Sequence, residues 1–405
     1  MSRNLSPIRQ ARTGREGAVL MLGSSLTIMG SVMVAPILPK LFAEFGPVEP
    51  KADLLVPLAI TGPALTIALF APLAGWLADR VGRKALLVAA TILYALLGTL
   101  PALLDSLPAI VGSRLLFGCT EAAIMTCCAA LIADYWQGEQ RLRLVNLQVV
   151  TIGLIGALFF VIGGALGEQA WRAPFYLYLL PLLLVPFMAR VLWEPATIRQ
   201  QQLEDGEDQI SVLTLVIGYL LIFAGMLLNF IVPVQAPALL VSIGITSSTL
   251  IGASAGLGLL ASLAGALLWP VLRRTLGISG CNALLLGLLA LGLWLLSQAQ
   301  TYNEVLVAVS LHGIGAGLLV PNAMAPVMNA LSANTRGRGL GAFTAFLYLG
   351  QFASPLLIAM LGGFNYDLRG AIQLLAMLSL TGGIVWVVAA ILKPHRAAEA
   401  IGPHA

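Results

Sequence analysis

The sequence predicts an all-α integral membrane protein with twelve transmembrane helices, arranged as two pseudo-symmetric six-helix bundles. Three observations lead to this fold class: the composition, the length of the apolar segments, and a repeat that relates the two halves of the chain. Of the 405 residues, 59% are hydrophobic and 10% are charged, whereas soluble domains contain about 25% charged residues. The mean hydropathy is +0.93. So little polar surface excludes a water-soluble particle of this size.

The charged residues fall in short clusters between apolar segments of roughly 20 residues, which is the length that a helix needs to cross the hydrocarbon core. Twelve spans are predicted, at 17–40, 54–78, 84–104, 109–133, 144–167, 174–193, 212–236, 247–271, 280–298, 303–329, 339–361 and 371–392. The polar segment 194–211 is predicted as a cytoplasmic linker between an N-terminal bundle (1–193) and a C-terminal bundle (212–405). Each bundle carries one cytoplasmic tail.

Lysine and arginine residues predict the orientation, because they are enriched in cytoplasmic loops. If the N-terminus is cytoplasmic, 17 of the 22 Lys and Arg residues lie on that side; the others are Lys40, Lys51, Arg114, Arg172 and Arg369. Both termini are therefore expected in the cytoplasm. The net charge of +4 is attributed to this topology and not to nucleic-acid binding. Short loops and tails favour a bacterial inner (plasma) membrane.

The two halves of the chain share a pattern at an offset close to half its length. The loop after the second span contains the basic pair Arg83-Lys84, and the loop after the eighth span contains Arg273-Arg274 at the matching place. Trp269 stands where the first half has Asp79. A duplicated six-helix unit is typical of membrane transporters whose binding site lies between the repeats, near the bilayer midplane.

The loop GWLADRVGRK resembles the signature loop of the major facilitator superfamily, with every defining position filled: Gly75, Leu77, Ala78, Asp79, Arg80, Gly82, Arg83 and Lys84. Arg114 followed by Gly118, Trp171-Arg172 before Phe175, and the run LGQFASPLL (349–357) resemble further motifs of this superfamily. The chain is identified as a member over essentially its whole length. It resembles the twelve-helix drug:proton antiporters of the bicyclomycin and chloramphenicol resistance type.

The resemblance implies a gate at this loop. In relatives the aspartate matching Asp79 caps helix eleven, here near Gly339, when the inner side is closed. The arginine matching Arg83 pairs with an acid at the end of helix four, here Asp134. The candidate gating residues are Gly75, Asp79, Arg80, Gly82, Arg83, Lys84 and Asp134. Gly75 is expected to let two helices approach closely. The alternative is that the basic residues only establish topology.

Three ionisable residues lie inside predicted spans, where they are costly and usually mark a pathway or relay. Arg114 and Glu121 are seven residues apart in helix four, so they share a face at a separation of roughly 10 Å. We expect both to face the central cavity, with Glu121 as the group that binds the coupled proton and Arg114, by resemblance to the family, as a second residue tied to proton transfer. The alternative for Glu121 is a structural partner of Arg114 or of neighbouring helix hydroxyls. A histidine side chain ordinarily titrates near neutrality, so His312 in helix ten is the third candidate for proton coupling.

Polar and aromatic residues near the middle of other spans are candidates for a substrate cavity, and packing between helices is the alternative for each. They are Phe159, Phe160, Asn229, Gln235, Asn322, Phe346 and Gln351. The spacings of Gly252 with Gly256 and of Gly313 with Gly317 are better explained by helix packing. The four cysteines lie in or at the ends of spans without metal-site spacing and are interpreted as small core residues.

These features predict a secondary active transporter that works by alternating access and exports small amphipathic compounds in exchange for protons. The expected partners are a small-molecule substrate, protons and the lipid bilayer, and relatives imply a monomer. No cofactor is expected, because no lysine follows a glycine as a phosphate-binding GxxxxGK[ST] loop requires; the proton gradient is the expected energy source. No catalytic motif indicates an enzyme.

Two departures from the exporter pattern keep a second hypothesis open. Phe159-Phe160 occupy the glycine-proline position of the antiporter motif in helix five, and helix one carries no acid. The alternative is therefore a proton-coupled importer or facilitator of a small organic anion, with Arg114 as the anchor of the anion. A third hypothesis, a sensor or membrane enzyme on the same fold, has no catalytic constellation to support it.

Overall fold

The computed structural model describes residues 14–195, 211–332 and 335–392. The tails predicted at both ends, and most of the linker predicted at 194–211, lie outside the described residues. The helices, in chain order, are α1 (Arg15–Phe45), α2 (Ala52–Val81), α3 (Arg83–Leu103), α4 (Leu107–Tyr135), α5 (Gly138–Gly167), α6 (Ala173–Val191), α7 (Val212–Ser242), α8 (248–276), α9 (278–298), α10 (Tyr302–Asn329), α11 (Arg336–Gly363) and α12 (Leu368–Leu392).

The eighth and ninth spans form one continuous helical segment, Ser248–Gln298, which is interrupted at Gly277. Eleven segments of the described chain are therefore long and apolar enough to cross a membrane, one of them 51 residues long. Gly277 has φ 68° and ψ −173°, a conformation that glycine adopts without the clash of a Cβ atom. The chain turns there, and α8 and α9 are two spans, as the sequence predicted.

Three other helices depart from regular α geometry near one end. A 3-10 turn at Ala35–Ile37 interrupts α1, and α3 ends in a 3-10 turn at Leu100–Leu103. α6 begins with the longer 3-10 segment Ala173–Leu183. Each of these 3-10 segments has a proline in its first two positions, where the missing N–H of proline leaves no intrahelical partner unsatisfied.

The buried apolar residues form two clusters that correspond to the two halves of the chain. One extends from Val19 to Leu192 and includes Val234; the other extends from Ile222 to Ala376. α12 carries many exposed apolar side chains, among them Ile384, Val385 and Ile391, at 55%, 62% and 72% exposure. An apolar surface of this kind is stable against lipid chains, so α12 lies on the outside of the bundle.

Glycines allow backbones to touch where helices cross. A Cβ atom added at Gly313 or Gly317 of α10 would lie under 3.0 Å from a carbonyl oxygen of α8, that of Gly258 or Ser262. Gly252 of α8 makes a similar approach to the carbonyl of Phe160 in α5. The packing interpretation of these glycine spacings is confirmed. Close approach through small residues is the usual source of helix association in lipid.

The expectation for Gly75 is wrong in this structure. The nearest heavy atom to a Cβ added there is Cγ2 of Thr126, at 3.9 Å, which is an ordinary van der Waals contact. The close approach of α2 to α4 occurs instead at Gly118, whose added Cβ would collide with the Pro63 carbonyl. Glu121 lies three residues after Gly118, so this contact sets the position of the part of α4 that carries Glu121.

We predict that Gly317→Ala lowers the thermal stability of the detergent-solubilised protein. The new methyl group would collide with the Ser262 carbonyl, and overpacking of this kind costs about 1–3 kcal/mol. Gly287→Ala in α9 is the matched control, because a Cβ added at Gly287 meets nothing within 4 Å. Equal melting temperatures for the two variants would contradict the packing described here.

Candidate functional site

A cavity of about 360 Å³ lies between the two halves of the molecule. Its lining comes from eight helices: α1, α2, α4 and α5 of the first half, and α7, α8, α10 and α11 of the second. The helices α3, α6, α9 and α12 contribute no lining residue. The inner helices of both repeats therefore share one central cavity, which is the arrangement that a substrate site between two repeats requires.

Glu121 of α4 lines this cavity and is 4% exposed. Among the described residues no hydrogen bond or salt bridge to its carboxylate is found. The carboxylate lies against Gly30 of α1: a Cβ atom added at Gly30 would be 2.9 Å from both carboxylate oxygens and 3.1 Å from the Phe117 ring. Glycine at position 30 therefore makes the space in which the acid faces the cavity.

Arg114 does not line the central cavity, contrary to the expectation that it shares the cavity-facing side of α4 with Glu121. Its guanidinium is fully buried inside the first half. Nε donates to the carbonyl of Ala59 in α2 at 3.0 Å, and Nη2 donates to the carbonyl of Gly30 in α1. The guanidinium carbon lies 4.3 Å from the centre of the Phe117 ring, within the range of a cation–π interaction.

Gly30 is the point at which the two charged residues of α4 meet. Its carbonyl oxygen accepts from Arg114 and, at 3.1 Å, from the hydroxyl of Tyr178 in α6, while its Cα is covered by the Glu121 carboxylate. No direct salt bridge joins Arg114 and Glu121 in the described chain, as their separation along α4 predicted. Arg114 and Glu121 therefore contact the same residue of α1.

His312 of α10 lines the cavity and is 2% exposed. Its Nε2 atom has no hydrogen-bond partner within the described ranges. A buried ring nitrogen without a partner is costly, so a bound molecule that donates or accepts a hydrogen bond there would be stabilised. Three predicted cavity residues also line this space: Phe160, Asn229 and Gln351.

The other four predicted cavity residues lie elsewhere. Gln235 lines a separate cavity of about 690 Å³ near the far end of α7. The Asn322 amide donates to the carbonyl of Ile278 at 3.1 Å and to Asn282 Oδ1 at 2.7 Å, so it joins α10 to α9. Phe346 stacks on Tyr219, with ring centres 5.4 Å apart, and Phe159 packs against the core of the first half.

The signature loop joins α2 and α3 at one end of the molecule, called here the loop end. A guanidinium nitrogen of Arg83 donates to Asp134 at the end of α4, and a second donates to Asp79 at 3.2 Å. These hydrogen bonds join the start of α3 to the ends of α2 and α4. The guanidinium of Arg80 lies over the ring of Trp76, at 4.2 Å.

Glu194, which follows α6, caps the N-terminus of α3. Its carboxylate accepts from the backbone N–H groups of Arg83 at 2.7 Å and of Lys84 at 3.0 Å. An acid at this position satisfies two free donors and interacts favourably with the helix dipole. Gly82, with φ 100°, makes the turn, and a Cβ atom there would lie 2.9 Å from the Glu194 carboxylate. Asp79 itself lies in the last turn of α2.

The contact between Asp79 and α11 that relatives imply is not formed in this structure. The Asp79 side chain is 69% exposed. The Gly339 carbonyl accepts from the Tyr219 hydroxyl at 3.0 Å, and the Leu331 side chain covers the Cα of Gly339. The start of α11 is therefore held by its own half.

At the opposite end the two halves are in backbone contact through α5 and α8. A Cβ added at Gly164 would collide with the Ser248 carbonyl, and the Thr249 N–H donates to the Glu168 carboxylate at 3.3 Å. Slight desolvation would raise the pKa of Glu168, but hydrogen bonds from Ser247, Thr249 and Ser248 outweigh it and lower that pKa. Glu168 is therefore ionised near neutral pH, and the contact is lost only in acid.

Sequence reasoning missed Gly30, Glu194 and Tyr348. Tyr348 of α11 lines the cavity, and its hydroxyl donates to the Met125 sulfur of α4 across the two halves at 3.3 Å. Glu194 directly follows the sixth predicted span, and this position was a signal for a cap. It was instead assigned to the predicted linker 194–211. Gly30 carried no signal, because the sequence does not show which residue of α4 packs against α1.

These features, two six-helix halves around one cavity and a signature loop at one end, agree with a family comparison. The model of the Major Facilitator Superfamily matches residues 20–281. The chain belongs to the major facilitator superfamily. It is a multi-pass membrane protein of a family of transporters.

Two known proteins are similar to this chain in sequence, and one solved structure is similar in fold. The 3-(3-hydroxy-phenyl)propionate transporter of Escherichia coli (strain K12) is 29% identical over 300 residues, which cover 70% of this chain and 72% of the relative. The class B tetracycline resistance protein of Escherichia coli is 32% identical over 183 residues, 45% of each chain. The crystal structure of a D-xylose-proton symporter superposes with a TM-score of 0.75 at 17% identity, covering 93% of this chain and 97% of that one.

We predict that Arg114→Lys destabilises the folded protein by roughly 3 kcal/mol, because a single ammonium group cannot reproduce the two directed bonds to the Ala59 and Gly30 carbonyls. Arg336→Lys is the control, since Arg336 is exposed. Thermal unfolding in detergent measures both. If Arg114→Lys melts with the wild type, Arg114 does not hold α1 and α2 in this way.

Proposed function

We propose that this protein is a proton-coupled exporter of small amphipathic compounds, that it works by alternating access, and that Glu121 binds the coupled proton. The observation that supports this most strongly is the position of Glu121: a buried carboxylate on the wall of the cavity shared by both halves, with no hydrogen bond among the described residues. A carboxylate in such a site can be protonated and deprotonated as water or substrate enters.

The charge of the cavity favours cationic or neutral amphipathic substrates. Among the described lining residues Glu121 is the only acid, and no lysine or arginine is present. Apolar and aromatic groups such as Phe160, Phe230 and Met226 make up much of the wall, as in sites that accept varied apolar ligands. Competition between such a cation and the proton for one carboxylate would couple export to proton entry.

The alternative, import of a small organic anion, keeps one supporting observation. One relative is by name a transporter of 3-(3-hydroxy-phenyl)propionate, whereas another is by name a tetracycline resistance protein. In the alternative hypothesis Arg114 anchors the anion. Two of its nitrogens are instead bonded to the backbone carbonyls of Ala59 and Gly30. The third, Nη1, is buried without a hydrogen bond among the described residues, but Arg114 does not line the central cavity where an anion would bind. We therefore favour export.

The contacts at the two ends support alternating access. The halves are in backbone contact near Gly164 and Ser248 at the opposite end, while Asp79 at the loop end is exposed. In the proposed cycle the halves separate at the opposite end and come together at the loop end. Asp79 then contacts α11, as relatives imply. We place the protein as a monomer in a bacterial inner membrane with both termini in the cytoplasm and the proton gradient as its energy source.

We expect everted vesicles that contain the wild-type protein to release protons from an acidified lumen when a transported cationic or neutral compound is added. In Glu121→Gln the signal is expected to fall to background, because the amide cannot bind the proton. A panel of cationic, neutral and anionic compounds followed with a pH-sensitive dye measures the response. Glu139→Gln is the matched control, since this acid of α5 is exposed and lies outside the cavity.

Two outcomes would contradict the proposal in different ways. Proton release that survives in Glu121→Gln would retain antiport but remove Glu121 as the carrier. Anions that move protons in the opposite sense, without a response to cations or neutral compounds, would establish the importer.

Alternating access predicts that a disulfide across α5 and α8 stops transport reversibly. A Cβ added at Gly167 would be 3.7 Å from the Ser248 Cβ, within the disulfide range of about 3.5–4.5 Å. Gly167→Cys with Ser248→Cys, in an Ile37→Ala background that makes room for the new side chain, is expected to lose transport on oxidation and to regain it on reduction. The same background with Ser248→Cys alone is the control. Undiminished transport by the oxidised pair would show that this end need not open.

A further inference from the structure

A cavity of about 550 Å³ lies at the loop end of the second half, away from the central cavity. It is lined by the end of α8, by the turn at Gly277, by the start of α9 and by Ala390 of α12. Two arginines, Arg273 and Arg274, belong to its wall. The size is in the range of small-molecule sites.

The two arginines have no acidic partner in the described chain. The Nη1 atom of Arg273 is buried without a hydrogen bond, and its guanidinium carbon lies 5.3 Å from the centre of the Trp269 ring. Arg274 is exposed. A buried guanidinium N–H without an acceptor is costly, so an anion that enters the cavity and accepts from it would be stabilised.

The matching loop of the first half shows what is missing here. There, Arg83 is bonded to Asp79 and Asp134, and Glu194 accepts from the backbone N–H groups. In the second half Trp269 occupies the place of Asp79, and its indole N–H donates to Asn322 at 3.1 Å. The second half therefore has the basic pair but has Trp269 in the place of the acid that compensates it in the first half.

The apolar side chains around the cavity indicate which kind of anion binds there. Apolar side chains at the ends of α8 and α12 flank it and are exposed: Val271 at 62%, Ile391 at 72% and Leu392 at 76%. On the outside of a membrane protein such surfaces contact acyl chains. A phospholipid carries both a phosphate and acyl chains. Its phosphate can bind the arginines while its acyl chains contact the exposed apolar side chains, whereas a soluble phosphate can bind only the arginines.

We propose that this cavity, formed by Trp269, Arg273, Arg274, Gly277, Ser279 and Ala390, binds the phosphate headgroup of an anionic phospholipid. Basic cavities between transmembrane helices bind such headgroups by charge and by directed N–H donors. The bound lipid supplies to the loop of the second half the negative charge that Asp79 and Asp134 supply to that of the first. The assignment does not depend on the proposed transport activity.

The test uses delipidated full-length protein and native mass spectrometry with dioleoyl phosphatidylglycerol or dioleoyl phosphatidylcholine. We expect the wild type to retain phosphatidylglycerol in preference to phosphatidylcholine, and Arg273→Gln with Arg274→Gln to weaken phosphatidylglycerol retention about tenfold or more. Arg141→Gln with Arg143→Gln is the matched control, because it removes two exposed charges of α5 outside the cavity. Its retention is expected to equal that of the wild type.

Three results would overturn the proposal. One is equal loss of phosphatidylglycerol in the two double variants, which would indicate a diffuse surface charge. Another is displacement of the lipid by inorganic phosphate at 100-fold excess, which would assign the cavity to a soluble phosphate. The third is retention unchanged by the arginine substitutions. Should the glutamine variant fail to fold, Arg273→Lys with Arg274→Lys keeps the charge but removes the planar donors, and weaker retention is still expected.

Discussion

The buried guanidinium of Arg114 is the constraint on which the first half and the central site depend. A charge inside the membrane is costly unless it is paired or bonded to backbone groups, and here carbonyls of α1 and α2 accept from it. Those bonds determine where α1 and α2 stand relative to α4. Tyr178 connects α6 to α1, because its hydroxyl donates to the carbonyls of Met29 and Gly30. The position of Glu121 follows from this arrangement. The Glu121 side chain packs against α1 at Gly30. Among the described residues its carboxylate oxygens accept no hydrogen bond.

The sequence was sufficient for those parts of the fold that depend on composition and periodicity. It predicted twelve spans, the relation between the halves and the identity of the signature loop. It could not predict the rotation of each helix about its axis, because an apolar segment in lipid is hydrophobic on every side. Asn229 and Asn322 look alike in sequence, yet one lines the cavity and the other is bonded to Asn282 and Ile278. Arg114 was placed in the cavity for the same reason, since its backbone acceptors carry no sequence signal.

The signature loop of the first half and the matching loop of the second half differ in the partners of their basic residues. In the first half three acids, Asp79, Asp134 and Glu194, surround one arginine and the start of α3. Asp134 lies at the end of α4 and Glu194 just after α6, so the loop between α2 and α3 is bonded to two further parts of that half. In the second half the indole of Trp269 is bonded to Asn322 of α10. Arg83 of the first loop therefore has two acid partners, whereas the second loop is held by a neutral hydrogen bond and, among the described residues, its arginines have no acid partner.

The contacts between the halves differ in kind, and this difference bears on how the molecule changes state. At the opposite end glycines such as Gly164 and Gly252 bring backbones together, so that end has a well-defined closed arrangement. The polar contact there, between Thr249 and Glu168, is at the surface, where it contributes little free energy. At the loop end Asp79 is bonded to Arg83 of its own half. When Asp79 moves away, Arg83 can stay bonded to Asp134. In the proposed transport cycle, a transition between two such arrangements needs only a small difference in free energy. Under that proposal, a substrate or a proton at Glu121 supplies the difference by binding one arrangement more tightly than the other.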